Sequence, residues 1–408
     1  MVEILLLVVF IGFLLSSRQS MGIGNPFQVY FLIWFFIIGV YSLSSDSFIP
    51  VSPEFFFLIL VAKVLSFVIL LVASGKSNAG IVINQASVVW VPRGKILLFA
   101  QLLALVAIPL TYQKARELSG GTDIFTVEGY MRLRSSMTED GQGFGILVYF
   151  SILSHVISSI RVVDFARRRT GGVLLLISVL SSLAYIYMGT GRTYILLLGL
   201  LMVIPLVVFG FVRVKGLVLS ALIFMLMFFG VAAMTAKGVA VDAGSSENAG
   251  SLFNNMRSYT VAPLIAFSRL ERIGSEVSLG EYSFRFFVSM LNAAGLFGVK
   301  PVALIKGYEF VPDATNVYTV YEVYFRDFSY VGIFIPPLFL IGHWLLYKRA
   351  TLFGGRWVFL YASSVYPLVM QFFQDQYFSL FSMWLQIWFW YWILLRRPGV
   401  VRIRWKSH

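Results

Sequence analysis

EFFFLILVAKVLSFVILLVAS, Glu54 to Ser74, is a run of 21 residues in which only Glu54 and Lys63 are charged. A helix of that length covers about 30 Å, the thickness of a bilayer's hydrocarbon core. Neighbouring stretches repeat the pattern along the chain. Eleven apolar segments lie near 2–16, 27–44, 54–74, 96–112, 144–162, 172–190, 193–212, 216–236, 328–347, 357–373 and 379–395. The first lacks a basic flank and a small-residue cleavage site, so it is expected to be a retained helix and not a signal peptide.

Composition agrees with this reading. Hydrophobic residues make up 59% of the 408, charged residues 12%, and the mean hydropathy is +0.84. A soluble domain carries about twice that charge, because its surface faces water. The absence of cysteine excludes disulfide scaffolds, thiolate metal sites and thiol catalysis. The expected fold is an all-α polytopic membrane protein with about 11 transmembrane helices, residues 1–408 forming one integral membrane domain.

The net charge of +13 is a topology signal and does not point to nucleic acid. One set of connections holds Arg18, Lys76, Arg93, Lys95, Arg161, Arg167, Arg168, Arg169, Arg213, Lys215, Lys348, Arg349 and Arg356, with Arg396, Arg397, Arg402, Arg404 and Lys406 in the tail. Asp164 is its single acidic residue. The opposite set holds 13 basic and 18 acidic residues, leaving Lys63 inside a span. Positive-inside bias therefore predicts an outside N-terminus and a cytoplasmic C-terminus.

Three outer elements have room for chemistry: a loop over 113–143, a larger loop over 237–327, and the tight GTGRT turn at Gly189–Thr193. The loops are rich in Tyr, Phe and apolar stretches, the composition of ordered segments. Within the larger one, Phe284–Gly298 reads as a helix lying along the membrane surface. His155 and His343 fall inside predicted spans and read as helix-packing residues. No metal-ligand spacing or phosphate loop is present, so no cofactor is expected.

Arg192, flanked by two glycines at a helix junction, is costly near hydrocarbon unless it meets an anion. Its planar fork suits a lipid pyrophosphate headgroup; an arginine anchoring a helix end to lipid phosphates fits equally. The second constellation is PDATNVYTVYEVYFRDFSYVG, Pro312–Gly332. A helix from about Asn316 places Val317, Tyr321 and Tyr324 on one face, with Tyr318 and Glu322 beside it. Tyrosines among polar groups suit sugar rings, and they also suit an interfacial aromatic belt. Lys63 and Asp375 are the features that point to a transporter instead.

TGRTYILLLGL (Thr190–Leu200), YTVAPLIAFSRLER (Tyr259–Arg272) and TNVYTVYEVYFRDFSYVG (Thr315–Gly332) together resemble the O-antigen polymerase family, the Wzy-type oligosaccharide repeat-unit polymerases. The resemblance implies a GT-C-like, lipid-donor glycosyltransferase of the bacterial inner membrane. Its partners would be undecaprenyl-pyrophosphate-linked oligosaccharides, membrane lipid and a chain-length regulator protein, with no nucleic acid. O-antigen ligases share the arginine turn, and there a His-x-Asn pattern precedes a late helix; here Asn316 matches the Asn and Ala314 replaces the His. Arg132…Gly143 and Arg269…Gly280 repeat the family's Arg-x10-Gly spacing, although Arg134…Gly145 and Arg161…Gly172 do so too. The expected roles are Arg192, Arg257, Arg269, Arg132 and Arg134 for pyrophosphate, and Asp313 or Asp327 as proton acceptor beside catalytic Arg192. Asn316, Tyr318, Tyr321 and Tyr324 are expected at the sugar.

Overall fold

Helices begin and end where the chain's capping chemistry allows. In the computed structural model, α2 (Pro26–Ser44) starts on Asn25, whose Oδ1 accepts from the N–H groups of Phe27 and Gln28 at 2.9 and 3.3 Å. Pro26 occupies the first position, where its missing N–H costs nothing. The structure describes residues 1–18, 24–75, 92–138, 141–191, 193–212, 216, 245–270, 277–296, 298, 301–303 and 306–396.

Among the described residues there are fourteen α-helices and one two-stranded hairpin. The helices are α1 (Val2–Arg18), α2, α3 (Pro53–Gly75), α4 (Gly94–Leu118), α5 (Val127–Thr138), α6 (Val148–Arg168), α7 (Gly172–Met188) and α8 (Thr193–Val208). They continue with α9 (Ser245–Leu270), α10 (Arg285–Ala293), α11 (Tyr321–Phe328), α12 (Ile335–Phe353), α13 (Arg356–Val369) and α14 (Phe381–Leu394). Strands β1 (Glu309–Phe310) and β2 (Ala314–Thr315) pair antiparallel, Glu309 opposite Thr315 and Phe310 opposite Ala314.

Among the described residues five helical stretches are long and apolar enough to cross a membrane: Pro26–Ser47, Pro53–Gly75, Gly94–Leu118, Gly145–Arg168 and Tyr321–Phe353. Val2–Ser17, Gly172–Met188 and Thr193–Val208 are shorter apolar helices. The chain is therefore an all-α protein with several membrane-length helices. The segment expected near 216–236 lies outside the described residues apart from Gly216.

The chain divides into two units. The first comprises Met1–Ile81, Ala236–Leu345 and Ser364–Ser382. Its centre is aromatic: Phe267 of α9 meets Phe55 of α3 at 5.4 Å, and Tyr321 and Phe325 of α11 at 6.1 and 5.6 Å between ring centroids. The second unit comprises Val82–Thr235, Leu346–Ser363 and Met383–His408. There α6 and α7 meet along a seam of small residues, with Ser154 and Ser158 both bonded to Ser182 at 2.9 Å. Small polar residues let helices approach closely while satisfying their own hydroxyls. Arg161 reaches across to Gln101 of α4, Nε and Nη2 donating at 3.1 and 2.8 Å.

The larger loop contains one helix not anticipated from the sequence, and one expected helix start is corrected. Residues 245–270 form a 26-residue helix, and its half from Val261 to Leu270 is packed into the first unit's core. The polar SSENAG opening and the internal Pro263 conceal it in the sequence. The helix expected from Asn316 starts at Tyr321, because the Val320 N–H is committed to the Gln371 carbonyl at 2.8 Å. Val317 and Tyr318 therefore lie outside it. Within 284–298 the chain forms a helix, α10, over Arg285–Ala293. It has no buried residue, and Phe287, Met290 and Leu291 stand 41%, 56% and 38% exposed.

Candidate functional site

The described residues that gather most charge lie in the first unit, between α10 and α11. Glu322, in the first turn of α11, is fully buried. A carboxylate in that position is costly unless paired. Its Oε1 accepts from Arg326 Nε at 2.5 Å, one turn along the same helix, and its Oε2 accepts from Lys306. Arg326 lies over the ring of Tyr282 at 5.3 Å and that of Tyr318 at 5.9 Å. The Lys306 ammonium is also 5.9 Å from the Tyr318 centroid. Burial drives Lys306 down to about 7, against the opposing pull of Asp375, while Arg326 adds to the depression. Burial likewise raises the Tyr318 phenol, with Glu309 adding to the rise and Arg326 opposing it.

Behind this cluster Asp375 is saturated. Oδ1 accepts from Tyr324 OH at 2.9 Å and the Tyr377 N–H at 3.2 Å; Oδ2 accepts from the Ser379 N–H and Oγ at 2.9 and 2.8 Å. A narrow cleft of about 30 Å³, room for about two water molecules, is lined by Tyr282, Arg285, Lys306, Val323, Gln374 and Asp375 among others. Arg285 spends its Nε on the Val302 carbonyl at 2.7 Å, and burial lowers its pKa. The wall thus carries two cations, while the adjoining carboxylates are already engaged. Such an arrangement offers N–H donors to an anion at the mouth of the cleft.

The sequence-derived candidates separate. Tyr318, Tyr321 and Tyr324 are 2%, 0% and 1% exposed, which corrects the expectation that they offer ring faces to sugar. Their hydroxyls are committed inside the protein: Tyr318 to the Gly307 carbonyl at 3.0 Å, Tyr321 to Lys63 at 2.9 Å, Tyr324 to Asp375. Periodicity shows that aromatic residues share a face, and it is silent on whether that face turns inward. Asn316 is half-buried beyond β2.

The two proposed proton acceptors differ. Asp327 is fully buried, Oδ1 accepting from the Tyr282 N–H at 3.0 Å and Oδ2 from the Ser283 N–H and Oγ at 2.6 and 2.5 Å. It holds the turn before α10. Asp313, at the hairpin tip, is exposed and accepts one bond, from Ser258 Oγ at 3.0 Å. Arg257, one residue before Ser258, donates to Ser47 Oγ at 2.9 Å, and its buried Nε has no partner among the described residues. Arg269, in the last turn of α9, makes no ion pair among the described residues.

In the second unit, Arg132 pairs with Glu128 one turn away at 2.7 Å, both largely exposed; such a pair contributes about 0.3–0.5 kcal/mol. Arg134 is half-buried and unpaired with any described carboxylate. Arg192 lies outside the described residues. In the turn before it, the positive φ falls on Thr190, at 51°, and not on a glycine. Gly191 is needed for another reason: a Cβ there would come within 2.6 Å of the Tyr194 ring.

A second polar cluster, found by tertiary structure alone, surrounds Lys63. Its Nζ donates to Tyr30 OH at 3.0 Å and Tyr321 OH at 2.9 Å, and stands 3.2 Å from the Trp34 ring centroid. Trp34 Nε1 reaches Gln371 Oε1 at 3.2 Å, Gln371 Nε2 reaches Tyr377 OH at 3.1 Å, and Tyr377 OH meets His343 Nε2 at 2.8 Å. His343 is thus a satisfied packing residue, its Nδ1 being 3.1 Å from Ser364 Oγ. His155 Nδ1 meets the Ser151 carbonyl at 2.6 Å, but its buried Nε2 has no partner among the described residues. No group of three or more His, Asp or Glu fit to hold a metal occurs among the described residues. No protein-family model matches the chain, and no curated protein or solved structure shows significant similarity to it.

Lys306 is the site residue that sequence reading missed. It sits in PVALIKGYEF (Pro301–Phe310), an apolar run without a motif, and its partner is 16 residues away. The one available signal is a lone cation in an otherwise apolar segment close to an acidic helix start.

Proposed function

We propose that this chain is a polymerase of undecaprenyl-pyrophosphate-linked oligosaccharide repeat units. On this reading it is an eleven-span, GT-C-like glycosyltransferase of the bacterial inner membrane, with its N-terminus and two larger loops in the periplasm and its C-terminus in the cytoplasm. The growing glycan passes from its lipid pyrophosphate to a new lipid-linked unit. The observation that carries the reading is the pair of cations between α10 and α11, Arg285 and Lys306, beside carboxylates that are already satisfied. Cations fixed in that way stabilise a leaving group that gains negative charge, each worth on the order of 10²–10³ in rate by analogy with oxyanion sites.

The reaction needs one bond made and one broken. An acceptor hydroxyl attacks the anomeric carbon, the bond to the diphosphate oxygen breaks, and polyprenyl pyrophosphate departs. On this reading Arg285 and Lys306 offer cations beside the cleft, while Arg192, Arg257, Arg269, Arg132 and Arg134 keep the pyrophosphate roles expected from the sequence. Asp313 takes the hydroxyl proton, since its carboxylate is open and accepts one bond, whereas Asp327 accepts three. Asn316 lies near the sugar, and a chain-length regulator acts as partner.

Arg192→Ala is expected to abolish long glycan while the protein still accumulates in the membrane. A normal product ladder from that variant overturns the assignment. Arg192→Lys keeps the charge and loses the fork, so it is expected to rescue poorly. The whole reading is tested with purified protein and a synthetic polyprenyl-pyrophosphate oligosaccharide, watched for a ladder.

The Lys63 cluster favours a second reading, a flippase for the same lipid-linked sugars, because buried ionisable groups within membrane-length helices mark transport pathways. Translocation of a fluorescent lipid-linked sugar in proteoliposomes, with no ladder, selects it.

A further inference from the structure

The second unit contains a groove that the glycan reaction does not use. It lies between α13 and α14, encloses about 540 Å³, and is lined by Arg356, Trp357, Leu385, Trp388, Phe389 and Trp392 among others. That volume is within the roughly 300–1,000 Å³ range of single-ligand pockets. Its walls are unusually open for their chemistry. Leu385, Trp388, Phe389 and Trp392 are 45%, 43%, 53% and 57% exposed, all on one 14-residue helix. Water would penalise such a contiguous patch, whereas hydrocarbon would not.

Charge distinguishes one end of the groove from the other. Arg356 opens α13 and Trp392 lies in the last turn of α14, so both stand at the same end. Arg349 lies 4.8 Å over the Trp357 ring. Arg396 is exposed just beyond α14, and the Arg93 N–H binds the Leu394 carbonyl at 2.9 Å. Among the described residues no carboxylate lines the groove, and the chain has no Asp or Glu between Asp327 and Asp375 or anywhere after Asp375. Arg356 and Arg349 therefore mark one mouth of an aromatic trough, and no carboxylate stands among its described walls.

We propose that this groove holds a phospholipid with an anionic headgroup. One hydrocarbon chain lies against Trp357, Leu385, Trp388 and Phe389, and the headgroup phosphate sits at Arg356 with Arg349 beside it. Tryptophans at such a position match the depth where ring and headgroup meet. Guanidinium forks bind phosphate oxygens in pairs. A second copy of this chain is a poorer occupant, because its equivalent surface brings the same cations and no carboxylate.

The test is native mass spectrometry of the full chain, stripped of lipid and then titrated with phosphatidylglycerol or phosphatidylcholine in the same detergent. Wild-type protein is expected to retain one phosphatidylglycerol per chain at least tenfold more tightly than phosphatidylcholine. Arg356→Gln is expected to lower that affinity about fivefold, since each basic residue at an anionic lipid surface contributes about 1 kcal/mol. Leu385→Trp fills the trough with the charge intact and is expected to reduce retention of both lipids. If Leu385→Trp unfolds, Leu360→Trp fills the same groove from α13 and reads the same way; if Arg356→Gln unfolds, Arg349→Gln reads the charge. Equal retention of the two lipids, an unchanged affinity in Arg356→Gln, or a dimer that excludes lipid overturns the proposal. Glycan polymerisation has no part in this readout, so the site stands or falls apart from the proposed reaction.

Discussion

Lys63 in α3 is fully buried and Lys306 before the hairpin is half-buried, both in the first unit, and the groups around them differ in kind. Lys306 meets a carboxylate, Glu322, which Arg326 shares. Lys63 meets none: two phenols and an indole face surround its ammonium. In a low-dielectric interior, a charge paired with a countercharge becomes hard to remove from either side, because the survivor is stranded. A charge held by neutral dipoles and a ring quadrupole leaves behind polar groups that can find other partners. The two clusters should therefore respond oppositely to substitution.

The largest expected effect is at Glu322. Glu322→Ala strands Lys306 and Arg326 together and should cost about 3–5 kcal/mol, the range for breaking a buried pair; thermal unfolding in detergent measures it. Loss of less than about 1 kcal/mol would mean that water reaches both cations and that the cluster belongs to the surface.

A pH titration follows in size. Lys306 releases its proton near 7 in the folded chain and near its ordinary value of 10.5 when unfolded. Between those values the unfolded chain binds more protons, so stability rises as pH climbs from about 7 toward 10.5 and is lowest below 7. The slope should approach about 1.4 kcal/mol per pH unit in that window. Lys306→Met should flatten the melting-temperature profile there; an unchanged profile would remove Lys306 from the account.

Lys63→Met sharpens the contrast from the other side. Methionine refills most of the volume and removes a desolvated charge, while Tyr30 keeps Ser66 as a partner at 2.8 Å. Tyr321 loses one bond, so the net change should stay within about 1–2 kcal/mol. A loss matching that of Glu322→Ala would show that the aromatic nest holds its ammonium as firmly as a carboxylate does. Smallest is Tyr318→Phe, which removes one hydroxyl bond to Gly307 and should cost about 1 kcal/mol.

Much of this contrast was unreadable beforehand. Lys63 announced itself as a cation inside an apolar run, and its position in a helix followed from that run alone. Its partners Tyr30, Trp34 and Tyr321 come from segments 33, 29 and 258 residues distant, and no local pattern links them. Glu322 and Arg326 were legible as an i,i+4 pair on a helix, but the burial of that pair and its third member, Lys306, were not. Asp313 and Asp327 looked alike in sequence; one proved open at a hairpin tip and the other enclosed by a turn.

Helix class and the placing of most apolar segments were settled by the sequence, because hydropathy and length act residue by residue and need no knowledge of neighbours. The inward turn of Tyr318, Tyr321 and Tyr324, the packed helix within the large loop and the clamping of Glu322 were decided by tertiary structure. Burial and charge pairing depend on which distant segments meet, and the energy of a buried group is set by partners that its own stretch of chain does not contain.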